Sequence, residues 1–469
     1  MTVLESPRQG SSRSLPIQGP CLSYWQRTTR TFPHLFANRN KEVPAGSKYV
    51  IIGSGISGGL AAFELLEAGV KGDDVIILEA REAASGASSR NAGHVRPDAF
   101  RGFNAYTKVH GTEQALKIIA NERLVLEKVD QFVKTHNVPC DFNLTTTFDI
   151  CMTPEFAKYE AESLEQYKQA GGDISHIKVY EGDEARARIP DAVAAYEWPA
   201  GSSHPAKLTQ FLLQSVIERG ARLITFCPAS EVKPSSKTDN GANLWDVHTP
   251  RGIITCEKII HCTNAHAALL LPELDNYIRP NRAQAHSLVP TPGLAAENAL
   301  QSTFSLRYSL YHFYSLIQRK DDGTLVLGVS RSNPTLSPET TASRFSTDDS
   351  SFNQEIAVDA MRSLGRIFPD FQADAQHTMH GEGLDHSWTG IIAMTTDSVP
   401  FVGPIDSLPG QYICAGFNGH GMARIFTCAP GVVKLVLGHE WKETGLPECF
   451  QFSQERLNRL SRGDLPSIW

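Results

Sequence analysis

Gly53, Gly55 and Gly58 stand at G-x-G-x-x-G spacing, and the chemistry this spacing suits is phosphate binding. The first glycine permits a tight turn, the second lets a pyrophosphate approach the backbone, and the third lets a helix pack closely on a strand. Glu79 follows Gly58 by 21 residues, where a carboxylate accepts the two ribose hydroxyls of a nucleotide. It would repel a 2′-phosphate, which disfavours NADP and leaves NAD and FAD. A second glycine-rich turn ends Gln411 to Gly421, QYICAGFNGHG, before a helical pattern from Met422 to Leu437. A second helix N-terminus aimed at ligand suits a flavin, whose reduced ring carries negative charge; NAD has no such need. Between the two turns lies Ala84 to Arg96, ASGASSRNAGHVR, with Arg90, Asn91, His94 and Arg96 as its polar exceptions. Its small side chains let backbone amides reach a cofactor; the alternative is a flexible surface loop.

These residues need a scaffold. Tyr49 to Ile52 and Val75 to Leu78 are short apolar runs that suit buried parallel strands, and Gly59 to Gly69 reads as the helix between them. Glu113 to His136 is an amphipathic helix with Leu116, Ile119, Leu126, Val129 and Val133 on its buried face. Val138 to Ile150 reads as strands and Pro154 to Ala170 as a charged helix, and this block begins a second domain. A helix from Pro205 to Arg222 then leads into strands at 223–226, 231–232 and 253–264 that return to the first domain. From about 280 to 385 the chain is strand-rich, with a hairpin turn at Asp321, Asp322 and Gly323 and a helix from Phe352 to Ile367. Phe304, Tyr308, Tyr311, Phe313 and Tyr314 crowd this block, either as core or with a Tyr facing substrate.

A chain of 469 residues implies two domains, and a net charge of −7 gives no reason to expect nucleic acid or a membrane as partner. No apolar run reaches the roughly 18 residues of a membrane-spanning helix. Nine scattered cysteines without a C-x-x-C pair read as buried thiols, with no metal or disulfide framework expected. The N-terminus has no apolar signal core and the C-terminus no Ser-Lys-Leu ending, so a cytoplasmic location is expected. Residues 1–20 are expected to be disordered, and Cys21 to Phe36 to pack on the body.

The whole set of motifs resembles the FAD-dependent D-amino-acid-oxidase-like superfamily. The residues that carry it are GSGISG, ILEAR, GASSRNAGH, the Pro205 helix, IIHCTNA, WTGIIAMTTDSVPFVG and CAGFNGHGM, over about 45 to 440. Ser23 to Trp25 and the Arg90–Asn91 pair are similar to the γ-glutamylputrescine-oxidase-like branch. The resemblance implies an α/β fold: a discontinuous Rossmann-type FAD-binding domain (47–112, 195–275 and 386–445) and an α+β substrate domain with a mixed or antiparallel sheet (113–194 and 276–385). Flanking them are the disordered segment 1–20, an arm at 21–46 and a tail at 446–469. It implies that Gly53, Ser54, Gly55, Ile56, Ser57 and Gly58 hold pyrophosphate and Glu79 the ribose. Ala80, Arg81 and Val232 would meet the adenine. Ser88, Ser89, Arg90, Asn91, Ala92, Gly93 and His94 would line the middle of the cofactor and the ring edge. Thr263, Asn264 and Gly390 would contact the cofactor too, and Asn418, Gly419, His420, Gly421 and Met422 would lie at its pyrimidine end.

The chain departs from the resemblance where basic residues clamp a substrate carboxylate: those places are Ile392 and Ala423. The place of a flavin-linking Cys is about Gly390, so non-covalent FAD is expected. The place of an oxygen-activating Lys is near Val326, which leaves the electron acceptor open, dioxygen included. The implied reaction is hydride transfer from a small amine or amino-acid-like substrate to the flavin, with hydrolysis of the imine. His94, Arg96, Gln284, His286 and Tyr311 are the candidate pocket residues, each with a structural alternative. Rival readings are a flavin enzyme for a dedicated secondary-metabolite intermediate, an NAD-dependent dehydrogenase, and a flavin-binding scaffold or sensor without turnover. The oligomeric state stays open.

Overall fold

The computed structural model describes residues 13–239, 242–329, 332–371 and 383–462. The short apolar runs at the start of the chain become the middle of a parallel sheet. Gly46–Ile52 lies between Val75–Leu78 and Gly252–His261, parallel to both. Alternate residues of these strands face opposite cores. Ile51, Ile77 and Ile260 pack into one, and Val50, Ile52, Ile76, Leu78 and Ile259 into the other. A sheet covered on both faces needs continuous apolar strands, which is why these runs do not alternate. Arg222–Ile224 and Gln411–Ala415 extend the sheet in parallel on either side, and Phe401–Pro404 closes one edge antiparallel. The first core is covered by the helices Ile56–Glu67, Pro205–Glu218 and Ile425–Val436. The second is covered by the antiparallel strands Glu231–Asp239 and Ala242–Thr249.

A second, mixed sheet runs in the order Gly383–Thr395, Ile278–Val289, Leu325–Val329, Phe313–Gln318, Thr303–Arg307, Asn143–Cys151, Ala194–Ser202, His94–Val95. All its neighbours on this path are antiparallel except Thr303–Arg307 with Asn143–Cys151. The turn at Asp321 to Gly323 joins two of its strands as a hairpin. The fold is thus α/β with a Rossmann-type sheet and a mixed sheet beside it.

Several segments lie elsewhere than the sequence suggests. Ala194–Ser202 and Gly383–Thr395 pair in the second sheet, although 195–275 and 386–445 were expected in the nucleotide-binding unit. The second of these is a 13-residue strand that carries the chain from one sheet to the other, so composition marks no boundary within it. Helix Thr112–His136, expected to open the second domain, packs its Phe132 against Phe426 beside the first sheet. Residues 1–12, expected to be disordered, and 463–469 lie outside the described residues. Residues 13–20, however, pack on the body: Arg13 pairs with Asp275 (3.1 Å) and the Ser14 carbonyl accepts from His266 Nδ1 (2.8 Å). The segment after 446 is docked by Arg456, which holds Asp397 through two 2.9 Å contacts. Among the described residues no helix is long and apolar enough to cross a membrane.

Candidate active site

The turn after Ile52 is shaped by close approaches. A Cβ at Gly58 would lie 1.9 Å from the Gly53 carbonyl oxygen, so only glycine lets the helix start this near the strand. Glu79, at the end of Val75–Leu78, is fixed by three donors. Its Oε2 accepts from Ser54 N (3.1 Å) and Ser54 Oγ (2.7 Å), and its Oε1 accepts from Arg81 N (2.9 Å). The loop that follows is held through its carbonyls. Ser23 Oγ donates to Ser89 O (2.5 Å), Trp388 Nε1 to Arg90 O (2.8 Å) and Trp25 Nε1 to Asn91 O (2.7 Å). Arg90 is buried and donates to Ser85 O and Thr389 O. At the second glycine-rich turn, Asn418 accepts from Thr395 N (2.8 Å) and donates to Gly416 O (2.8 Å), while Asn264 accepts from Gly416 N (3.1 Å).

All these edges open into one continuous cavity between the two sheets. It runs from Leu78 to Arg81 and Cys227 to Ala229, past Gly53, Gly55, Ile56, Ser57, Ser88, Thr263 and Asn264, to Arg90, Asn91, Ala92, His94 and Gly390. Gly419, His420, Gly421 and Met422 close one side, and Arg96 and Gln284 line it as well. Ser54, Gly58, Ser89, Gly93 and Asn418 are not on its wall. Ser54 and Asn418 are buried polar side chains that hold the wall, and Ser89 is held through its carbonyl.

Three expected residues lie elsewhere. Val232 belongs to a separate small cleft with Leu270 and Leu408, and the loop 227–229 reaches the cavity in its place. That loop is tied there by Cys227 N, which donates to Glu79 O (2.8 Å), before the strand containing Val232 begins. His286 is buried within the second sheet with Nδ1 on Ser387 Oγ (2.8 Å), and Tyr311 is exposed in the turn between two strands. Gln284 lines the cavity, but both ends of its amide are bonded to the Asn353 backbone (2.9 and 2.8 Å).

The sequence profile of the family described as FAD dependent oxidoreductase matches residues 48–435. The chain belongs to that family. It is 21% identical over 427 residues to γ-glutamylputrescine oxidoreductase of Escherichia coli, covering 88% of this chain and 90% of the relative. It is also 21% identical over 402 residues to the probable oxidoreductase OrdL of Haemophilus influenzae, covering 83% of each. The crystal structure of L-proline dehydrogenase from P. horikoshii superposes with a TM-score of 0.64 at 21% identity, over 90% of this chain and all of that one (100%).

The cavity fits the cofactor that the family name implies. It joins a glycine cradle and a fixed carboxylate to a wider chamber, and Thr263 Oγ1 and both ring nitrogens of His94 have no protein partner. Burial, and secondarily Arg96, pushes His94 down to about 3, so its ring is neutral.

The chamber beyond His94 contains residues that the sequence reading missed: Arg101, Ser305, Arg307 and Ser315 line it beside Phe313 of the aromatic cluster, with Asp149 behind. Asp149 is fully buried and meets Arg96 Nη2 (2.7 Å), Arg101 Nη1 (2.8 Å) and Arg307 Nε (2.9 Å). Burial alone would raise its carboxyl, but Arg96, Arg307 and Arg101 outweigh this and hold it well below the usual range. Burial, and then Asp149, raises the nearby Glu160 carboxyl well above its ordinary value. A signal was present in the sequence. Asp149 stands between Phe148 and Ile150 in one strand and Arg307 follows Leu306 at the end of another, and a buried charge requires a partner.

Proposed function

We propose that this chain oxidises the C–N bond of a small amine or amino-acid-like substrate, using FAD held non-covalently. The observation that carries the reading is the single cavity that joins a dinucleotide cradle to a polar chamber under the second sheet. Two proteins similar to this chain are named for reactions of nitrogen compounds, γ-glutamylputrescine oxidoreductase and L-proline dehydrogenase, which supports the choice of substrate class. The first sheet serves as the FAD domain and the second as the substrate domain.

In this reading the backbone of 53–58 receives the pyrophosphate at the start of helix Ile56–Glu67, and Glu79 receives the ribose. Loop 227–229 takes the adenine side that Val232 was expected to take. Loop 88–92, Thr263 and Asn264 follow the cofactor to its ring, and Gly419 to Met422 meet the pyrimidine end. A side chain at Gly390 would place its Cβ 2.9 Å from Arg90 Cβ, which supports the absence of a covalent link there. When bound, FAD would supply the acceptor for the hydride, the electron pair of the C–H bond beside the nitrogen, as the C–N bond becomes C=N. The protein must hold the substrate with its nitrogen unprotonated. Arg96, Arg101 and Arg307 disfavour an ammonium in the chamber, and a neutral His94 can accept a hydrogen bond from the amine. The imine formed from the substrate is released to hydrolysis by water.

Anaerobic titration of the yellow protein with amines, γ-glutamyl amines and N-methyl amino acids tests this reading. Bleaching of the flavin band by at least one member is the expected result. Rapid recovery in air would identify dioxygen as acceptor, and slow recovery another oxidant. A band that no amine bleaches would overturn the reading.

A further inference from the structure

At the second glycine-rich turn, a titratable ring on the cavity wall is backed by a buried acid. His420 lines the cavity, and its Nδ1 stands 3.5 Å from Oε2 of Glu122. Glu122 belongs to helix Thr112–His136 and is wholly buried. The same Oε2 accepts from Asp98 N (2.7 Å), and Oε1 accepts from Arg424 Nε (2.8 Å). Arg424 is fixed in turn: Nη1 donates to Ser398 O (3.0 Å) and Nη2 to Tyr106 Oη (2.7 Å). Arg424 thus already balances the charge of Glu122, and a second basic group nevertheless faces the same carboxylate. With the His420 ring neutral the three groups carry no net charge; with the ring protonated they place one positive charge at the cavity wall. The other ionisable groups packed around the ring are Arg101 and Asp98, which face each other at 3.8 Å, Tyr106 of helix Phe103–His110, and His94 of the short strand beside Gly421–Ala423. Burial lowers His420 below its ordinary value; Glu122 opposes this, and Arg424 and Arg101 add to it. Above pH 7 the ring is therefore mostly neutral until a negative charge arrives beside it.

We propose that His420 takes up a proton when the bound flavin is reduced, and that Glu122 holds the ring in place for it. This rests on the proposed placing of FAD, with Gly419 to Met422 at its pyrimidine end, where the negative charge of the reduced ring gathers. It does not depend on which compound supplies the electrons. For an amine the step balances as follows. The electron pair of the C–H bond leaves as hydride to the flavin, which gains one negative charge, and the nitrogen is left positive as an iminium. The iminium loses one N–H proton, which water carries to His420, leaving a neutral imine and one imidazolium. A fixed cation at this place would stand beside the uncharged, oxidised flavin as well. A histidine charges only when the countercharge is present, and so avoids the cost of an unbalanced buried cation in the resting protein. Glu122 is a positioning residue in this scheme: it orients Nδ1 and stabilises the imidazolium, and it does not reach the cavity wall itself.

The test is spectroelectrochemical reduction of the FAD-loaded protein, with no amine present, at pH values from about 6.5 to 8.5. The equilibrium for reduction should change about 100-fold per pH unit, as two protons per two electrons require, while the absorbance spectrum stays that of a charged reduced ring. His420→Gln should retain FAD and lower the dependence to about tenfold per pH unit, one proton per two electrons. Glu122→Gln should keep two-proton uptake only toward the acid end, because the imidazolium has lost its carboxylate. Either variant assigns the proton, so one that fails to fold or to load FAD leaves the other to decide. A one-proton dependence in the unaltered protein, or a two-proton dependence that survives His420→Gln, would overturn the proposal. The spectrum of an uncharged reduced ring in the unaltered protein would place the second proton on the flavin and overturn it too. Because the electrons come from an electrode, failure here leaves amine oxidation standing, and failure of every amine to bleach the flavin leaves this proton site standing.

Discussion

Glu79 connects the first glycine-rich turn to the loop beyond it, because its two oxygens take the backbone of Ser54 on one side and of Arg81 on the other. Hydrogen bonds to an ionised carboxylate are stronger than neutral ones, about 1.5–3 kcal/mol each. Glu79→Ala should therefore raise the Kd for FAD by at least about tenfold and lower the stability of the FAD-free protein by about 2 kcal/mol. Fluorescence titration with FAD and urea unfolding measure the two effects, and an unchanged Kd would remove Glu79 from the cofactor site. Gly58→Ala should do more, since its Cβ has no room beside the Gly53 carbonyl, and should yield protein without bound FAD. The positions of both residues were legible in the sequence because their surroundings are local: spacing from a turn places one at the helix start and the other at the next strand end. Arg307 and Asp149 were not legible in the same way. They meet only because Thr303–Arg307 pairs in parallel with Asn143–Cys151, with Ser305 opposite Asp149. His286 and Tyr311 failed for the complementary reason, because a residue type that suits chemistry says nothing about which side of a sheet or turn it occupies.

At the scale of elements, the loop 88–92 is held by groups from both ends of the chain. Three successive carbonyls, those of Ser89, Arg90 and Asn91, each accept from a side chain on another segment: Ser23, Trp388 and Trp25. Trp25→Phe keeps most of the ring in place beside His204 but leaves the Asn91 carbonyl without its donor. Such a buried loss costs about 1–3 kcal/mol and should appear as a lower Tm and a faster loss of FAD. The segment before it acts on the same cavity. Leu15 and Pro16 lie on the cavity wall, and the Ile17 carbonyl accepts from Arg81 Nη1 (3.4 Å). Deleting residues 1–20 should speed FAD release several-fold in a dilution assay; an unchanged rate would show that this segment does not retain the cofactor. Composition reads 1–20 as disordered, yet residues 13–20 pack on the body, because Ser, Pro and Gly are as compatible with an ordered strap as with a free tail. The strand–turn–helix units were legible from their apolar runs and glycines. The pairing of strands Ala194–Ser202 and Gly383–Thr395 in the second sheet was not legible, because pairing partners far apart in sequence leave no local mark.

The whole molecule carries a set of buried neutral histidines, and together they set its response to acid. His204, His261 and His286 are almost fully buried in three different places, bonded to Thr28, Gln411 and Ser387. Burial pushes them down to about 3, 4 and 4 respectively; for His204, Arg319 adds to the effect. In the unfolded chain a histidine titrates near 6.5. Below that value the unfolded state binds protons that the folded state refuses, so the stability these residues contribute is complete above pH 6.5. It is lost progressively as pH falls from there toward the folded values. Each such residue costs about 1.4 kcal/mol by pH 5.5, so the three together cost about 4 kcal/mol. The depressed carboxyls act lower: Glu122, which burial would raise but Arg424 and His420 hold down at about 2, loses its contribution only below about pH 4.5. The first acid limb should thus begin near pH 6.5, well above the range where carboxylates protonate. Thermal melts of the FAD-loaded protein at pH 7.5, 6.5 and 5.5 should give little change over the first interval and a clear fall in Tm over the second. A Tm that stays level down to pH 5 would mean that these histidines are protonated in the folded protein, and that their burial is relieved by water or by a neighbouring charge.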